Sequence, residues 1–208
     1  MEIRELRLLI LEGESQVLDF KQRTPQAYKI AKTMVSFANT RGGRILIGVL
    51  DSGEIIGTDP EEQLFQLEKA ASYYCRPSIA LDFAEIEDDE GNIVLIAEIH
   101  ESEQKPHSAQ DKNGNWHVYV RSKDESVLAG ETVVQMLKKG ITRSESPLNT
   151  HEKQVIAYLE KNRKVTSKQA AKFFNLSERR AKRMLVELTR SGLLLSHDFE
   201  KEVFYTIA

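Results

Sequence analysis

Near the start of the chain, three carboxylates and a lysine fall at spacings suited to phosphoryl chemistry: Glu14, Asp19, Lys21 and Asp51. Asp19 and Lys21 lie in a stretch, VLDFK at 17–21, that alternates apolar and polar residues as a half-buried strand does. Residues two apart in a strand share a face, so both side chains point the same way. Asp51 ends the apolar run RILIGVL at 44–50, where a buried strand would deliver its carboxylate to the same edge. Glu14, Asp19 and Asp51 together would hold a Mg or Mn ion. The ion would polarise a phosphodiester and activate water, with Lys21 steadying the developing charge. The plainer alternative is an Asp19–Lys21 ion pair, with Asp51 a turn former.

A second cluster is basic. Arg179, Arg180, Lys182 and Arg183 fill the first two turns of a helix expected over 178–191. Ala181, Met184, Leu185 and Leu188 recur at spacings of three and four and form its buried stripe. Cations at the start of such a helix suit phosphates and base edges, and arginine is the best bidentate donor to guanine. The alternative is a solvated basic face on a protein-interaction module. His100, His107 and His117 are scattered without metal-ligand spacing, and His107 reads as a loop residue near a phosphate. No G-x-x-x-x-G-K-[ST] motif occurs, and Gly42 and Gly43 precede a strand rather than a helix. They read as a helix terminator and tight turn, and ATP is not expected as a cofactor.

The elements that position these residues follow from periodicity. A short amphipathic helix is expected over 1–11, closed by Gly13. A second helix runs to Asn39, with Pro25 at its first position, where a missing N–H costs nothing. The run at 44–50 is a central strand buried on both faces, turning through Asp51–Gly53 into a short strand at 54–56. A helix over 60–74 stops at Arg76 and Pro77. Strands at 79–87 and 92–99 flank a turn at 88–91, a further strand covers 116–121, and a helix covers 131–139. The fold class is α/β (α+β) with a mixed sheet.

Gly140–Asn149 breaks the pattern with small polar residues and Pro147, so domains are expected over 1–139 and 150–208 with a linker at 140–149. Beyond it the period is helical: 151–161, 168–174 capped by Thr166 and Ser167, and 178–191 capped by Ser177 and stopped by Gly192. Strands at 193–196 and 202–207 surround a polar tip at 197–201. Three helices followed by a hairpin form a winged helix-turn-helix.

Composition narrows the function classes. Of 208 residues 40% are apolar and 29% charged, which excludes a disordered or fibrous chain. No run approaches the roughly 20 apolar residues of a membrane span, and the stretch at 6–11 is too short for a signal peptide. The lone Cys75 excludes an internal disulfide, and a cytoplasmic home is expected. The net charge of −3 hides a division: residues 144–208 carry 12 Lys or Arg against 8 Asp or Glu, which leaves 1–143 at −7. A basic C-terminal end points to a polyanion.

Several motifs in order resemble the Schlafen/AlbA-type DNA-binding domain: ESQVLDFK at 14–21, SFANTRGG at 36–43, IGVLD at 47–51, GEIIG at 53–57, KPH at 105–107 and YVRS at 119–122. The resemblance covers about residues 12–129. It implies an AlbA-like domain followed by a winged helix, as in bacterial members described as transcriptional regulators. Eukaryotic members include RNA endonucleases with an acidic trio, which would map to Glu14, Asp19 and Asp51. Asp19 stands where those nucleases carry Glu, and a carboxylate retracted by about one C–C bond weighs against an enzyme. The expectation is therefore a homo-oligomeric DNA-binding regulator. A metal-dependent endoribonuclease and a protein-interaction adaptor stand as alternatives.

Overall fold

The computed structural model describes residues 2–140, 150–199 and 202–207, so most of the expected linker lies outside the described residues. The chain divides into two compact units, Met1–Ser126 and Val127–Ala208.

In the first unit the elements run α1 (Ile3–Glu12), β1 (Leu18–Lys21), α2 (Ala27–Asn39), β2 (Gly43–Ile47) and α3 (Pro60–Tyr73). They continue through β3 (Cys75–Arg76), β4 (Asp82–Glu87), β5 (Ile93–Ile99), β6 (Ser108–Gln110) and β7 (Trp116–Ser122). Strand β8 (Glu125–Leu128) carries the chain into the second unit.

One sheet has the order β1-β2-β5-β4, with β1 parallel to β2 and the other pairs antiparallel. The central strands β2 and β5 are covered on both faces, which is why they read as nearly continuous apolar runs, whereas the edge strands β1 and β4 alternate. Leu18, Phe20, Leu46, Val94 and Ile96 pack with Leu6 and Ile10 of α1. The alternate residues Ile45, Ile47, Leu95, Ala97 and Ile99 pack with α2 and α3. Each such aliphatic side chain stabilises the fold by about 1.5–3 kcal/mol on full burial. A second sheet has the order β3-β6-β7-β8. Asp59 caps α3 through the Glu61 N–H, with Pro60 in its first turn.

Two expectations need correction here. Helix α2 starts at Ala27 with Gln26 as its cap, so Pro25 lies outside the helix. Strand β2 ends at Ile47, because Gly48 turns the backbone to φ 96°; beyond it Val49 and Ile55 form an isolated bridge, flanked by the Leu50 N–H donating to Glu54 O and the Ile56 N–H to Gly48 O.

The second unit contains α4 (Glu131–Lys138), α5 (Thr150–Lys161), β9 (Val165–Thr166), α6 (Ser167–Phe173) and α7 (Glu178–Arg190). Strands β10 (Leu194–Phe199) and β11 (Glu202–Ile207) end it. Three antiparallel strands, in the order β10-β11-β9, lie beside a core of Val155, Leu159, Ala170, Ala181, Leu185 and Leu188. Thr166 closes a reciprocal capping box with Gln169, and Ser177 caps α7.

The units divide ahead of the expected 140–149 boundary because α4 belongs with the C-terminal part. The Gly130 N–H donates to Ser196 O, and the Glu131 N–H donates to Asp198 Oδ2. His197, expected in the polar tip, is instead buried in β10. Its Nδ1 lies 2.8 Å from Leu128 O and its Nε2 2.8 Å from Thr206 Oγ1. Among the described residues no helix is long and apolar enough to cross a membrane.

Candidate nucleic-acid interface and the charged cluster of the first unit

Strand alternation places Asp19 and Lys21 on one face of β1, opposite Leu18 and Phe20. The Lys21 Nζ lies 2.6 Å from Asp19 Oδ2 and 3.8 Å from Glu14 Oε1, and donates to Phe20 O. Glu14 Oε1 also accepts the Phe20 N–H at 2.8 Å, which closes the loop ahead of β1. Glu14, Asp19 and Lys21 therefore meet.

Asp51 does not join them. It sits exposed in the turn closed by the Gly53 N–H on Leu50 O, and no hydrogen bond or ion pair links it to the cluster.

The fourth member is Arg121, which spacing did not single out. Its side chain is 1% exposed and reaches from β7, donating from Nη2 to Asp19 Oδ1 at 2.9 Å and to Leu18 O at 3.2 Å. Its Nε donates to Ser15 O, its Nη1 donates to Ser126 Oγ, and its guanidinium lies 4.8 Å from the Phe37 ring centroid. Two carboxylates thus face two cations, and the cluster is neutral as built. Each Asp19 oxygen already faces a cation and Glu14 holds a backbone N–H. Among the described residues no three His, Cys, Asp or Glu side chains are arranged to hold a metal ion. Of the three expected carboxylates the structure brings together Glu14 and Asp19, with Lys21 and Arg121 beside them, and leaves Asp51 apart.

The turn after α2 is built for close approach. The Gly42 N–H donates back to Phe37 O, so it caps the helix rather than facing outward. Gly42 has φ 73°, and a Cβ there would come within 2.6 Å of Ile99 O; one on Gly43 would meet the Phe37 ring at 2.7 Å.

His107 is 3% exposed, not a free loop residue. Nδ1 lies 2.9 Å from Pro77 O, Nε2 lies 2.7 Å from Ser102 Oγ, and Asn39 brackets its backbone from both sides. Burial holds its pKa below the usual histidine value. Burial also pushes the Cys75 thiol up to about 12, so it carries no thiolate at neutral pH.

The basic cluster of the second unit is arranged oppositely. Arg179, Arg180, Lys182 and Arg183 are all exposed, and none has an ion pair among the described residues. At about 100° per residue, Arg179 and Arg183 stand opposite the buried Ala181, Leu185 and Leu188. Arg180 and Lys182 flank them on either side. Exposed Arg190 extends the same ridge; its place eleven residues after Arg179 is the signal that reveals it. Arg180 and Arg183 line a groove of about 390 Å³ with His151, Glu152, Leu176, Met184 and Glu187.

With this geometry in view, the family model described as Schlafen, AlbA_2 matches residues 14–130, more than half of the chain. The chain belongs to the Schlafen AlbA_2 family. The matched span takes in the Glu14–Lys21 segment and Arg121, and stops ahead of the basic helix. No curated protein matches it in sequence.

Among solved structures, a Corynebacterium diphtheriae protein is similar over 70% of this chain and 30% of its own, with 18% identity and a TM-score of 0.45. The chain thus spans less than a third of that protein. The N-terminal domain of a RecG-related protein from Nitrosomonas europaea is similar over 73% of this chain and 97% of its own, with 17% identity and a TM-score of 0.46.

Proposed function

We propose that this Schlafen AlbA_2 member is a nucleic-acid-binding protein, a bacterial transcriptional regulator whose C-terminal unit is a winged helix-turn-helix docking α7 on duplex DNA. The observation that carries the reading is the exposed, unpaired set Arg179, Arg180, Lys182 and Arg183 in the first two turns of a well-capped helix. Side chains already held in ion pairs would have to be released before meeting a phosphate; these need no release.

The element order supports the same reading. Helices α5, α6 and α7 precede a hairpin, and α6 passes to α7 through Asn175 at φ 52° and Leu176, a tight connection of the helix-turn-helix kind. A homodimer would match two half-sites on the DNA. Among the described residues nothing specific favours the endoribonuclease reading, since Asp51 stands apart and Asp19 is already neutralised.

Each phosphate neutralised releases about one counterion, so log affinity falls with log salt by roughly 0.9 per contact. Duplex binding titrated over several salt concentrations should lose about two units of slope in the double variant Arg179→Ala, Arg183→Ala. Unchanged slope and affinity in that variant would refute the assignment.

A further inference from the structure

One aromatic group of the second unit has no role in the core or on the α7 ridge. Phe173, the last residue of α6, is 66% exposed, while its neighbour Phe174 packs into the core. The Phe173 ring meets Tyr158 of α5 edge-on with centroids 4.5 Å apart, and Phe174 stands 6.0 Å away. Together with Ala157 these rings floor a groove of about 610 Å³, rimmed by Gln154, Lys161, Asn162 and Asn175.

An exposed phenylalanine alone needs no explanation. This one forms a continuous aromatic surface with Tyr158, and the charged side chain in the groove lining is Lys161. Residues 161–175 hold five Lys or Arg and no Asp or Glu. Lys161, Lys168 and Lys172 are exposed, while the Lys164 ammonium lies 5.2 Å from the Phe204 ring centroid of β11.

We infer that this groove takes an unpaired base of a single-stranded nucleic acid, stacked on Phe173 with the backbone drawn along the surrounding lysines. Every base offers a flat π-face, so an aromatic platform inside a basic perimeter binds single strands with little regard to sequence. The amide side chains on the rim carry both donors and acceptors, as base edges do. An acidic or apolar peptide would use the lysines or the rings; a single strand uses both together. The inference rests on the nucleic-acid reading of this unit but concerns a different surface from the α7 ridge, which faces duplex.

The two surfaces separate by substitution. Fluorescence anisotropy of the full chain with labelled oligothymidylate and, separately, with a labelled duplex measures each. Replacing Phe173 with Ala should weaken oligothymidylate binding about tenfold, the scale of one lost base–aromatic stack, and leave duplex binding within about twofold. Phe173→Trp should restore single-strand binding, and Lys161→Ala should reduce its salt dependence. Arg179→Ala with Arg183→Ala should show the reverse preference, weakening duplex and sparing the single strand. Because Phe173 is exposed, thermal melts of its variants should match wild type and separate binding from folding. No binding of oligothymidylate by wild type, or equal affinity in wild type and Phe173→Ala, overturns the inference while leaving the duplex assignment intact. Loss of duplex binding alone in the arginine variant, or no effect of it, decides the duplex reading without touching this one.

Discussion

Glu14, Asp19, Lys21 and Arg121 in the first unit and Arg179, Arg180, Lys182 and Arg183 in the second are both groups of four charged side chains, but they use that charge differently. In the first, every charge faces an opposite one or a backbone dipole, and the central Asp19 is 4% exposed. In the second, the charges share one sign, point to solvent and have no partner among the described residues. A buried, balanced cluster ties elements together and has no field left for a ligand. An exposed, unbalanced one contributes little to the fold and keeps its field for a polyanion. On the proposed reading, the carboxylates that look catalytic by spacing serve the fold, while the plain run of arginines is the working surface.

The sharpest way to break this comparison is at Arg121. Replacing it with Ala removes one side of a buried ion pair, leaves Asp19 facing Lys21 alone and takes the guanidinium contacts from Ser15 O and Leu18 O, of which Leu18 O keeps the Ser15 N–H. Removing one partner of such a pair costs about 3–5 kcal/mol. Urea unfolding of the first unit should therefore shift by most of its stability. Arg121→Lys should restore little, since an ammonium cannot reproduce the forked contacts. A shift under about 1 kcal/mol would mean that the cluster is not structural.

The α7 arginines should behave the other way. Arg179→Ala and Arg183→Ala, which are expected to lower the salt slope of duplex binding, should each change unfolding stability by less than about 0.5 kcal/mol. Neither side chain is buried or paired, and alanine favours the helix. A destabilisation above about 1 kcal/mol would show that these side chains pack after all, and the contrast with Arg121 would fail.

How much of this was legible depends on the range of the forces involved. The start and end of α7 were readable because Ser177 and Gly192 act within one turn of the helix. The Asp19–Lys21 pairing was readable because strand alternation is local. Arg121 was not, since its partner Asp19 lies 102 residues away and nothing near it in sequence declares the charge buried. Asp51 misled because the apolar run continues to Leu50 while the strand breaks at Gly48, whose positive φ turns the chain. Strands β3 and β9 are two residues long, too short to show a period. His197 read as a polar tip because histidine favours the surface, yet its ring is satisfied by Leu128 O and Thr206 Oγ1 inside the unit.

The smallest expected effect touches both units at once, because each contains one buried histidine. In His107 and in His197 the Nδ1 faces a backbone carbonyl, which only accepts, so Nδ1 carries the proton and Nε2 accepts from Ser102 or Thr206. Burial disfavours the charged ring and holds both pKa values below the ordinary 6.5. Unfolding frees each imidazole to its ordinary value. Between the lowered folded pKa and 6.5 the unfolded chain then binds more protons than the folded one, and stability rises with pH there. The contribution is complete above about pH 6.5 and is lost as pH falls through the folded value. Urea midpoints measured from about pH 7.5 down to about 5 should decline for both units. His107→Gln should flatten the decline of the first unit only, and His197→Gln that of the second only, each after its own fixed loss at neutral pH. Carboxylates titrate lower, so a decline beginning near pH 6.5 that survives both substitutions would overturn the assignment to these two rings.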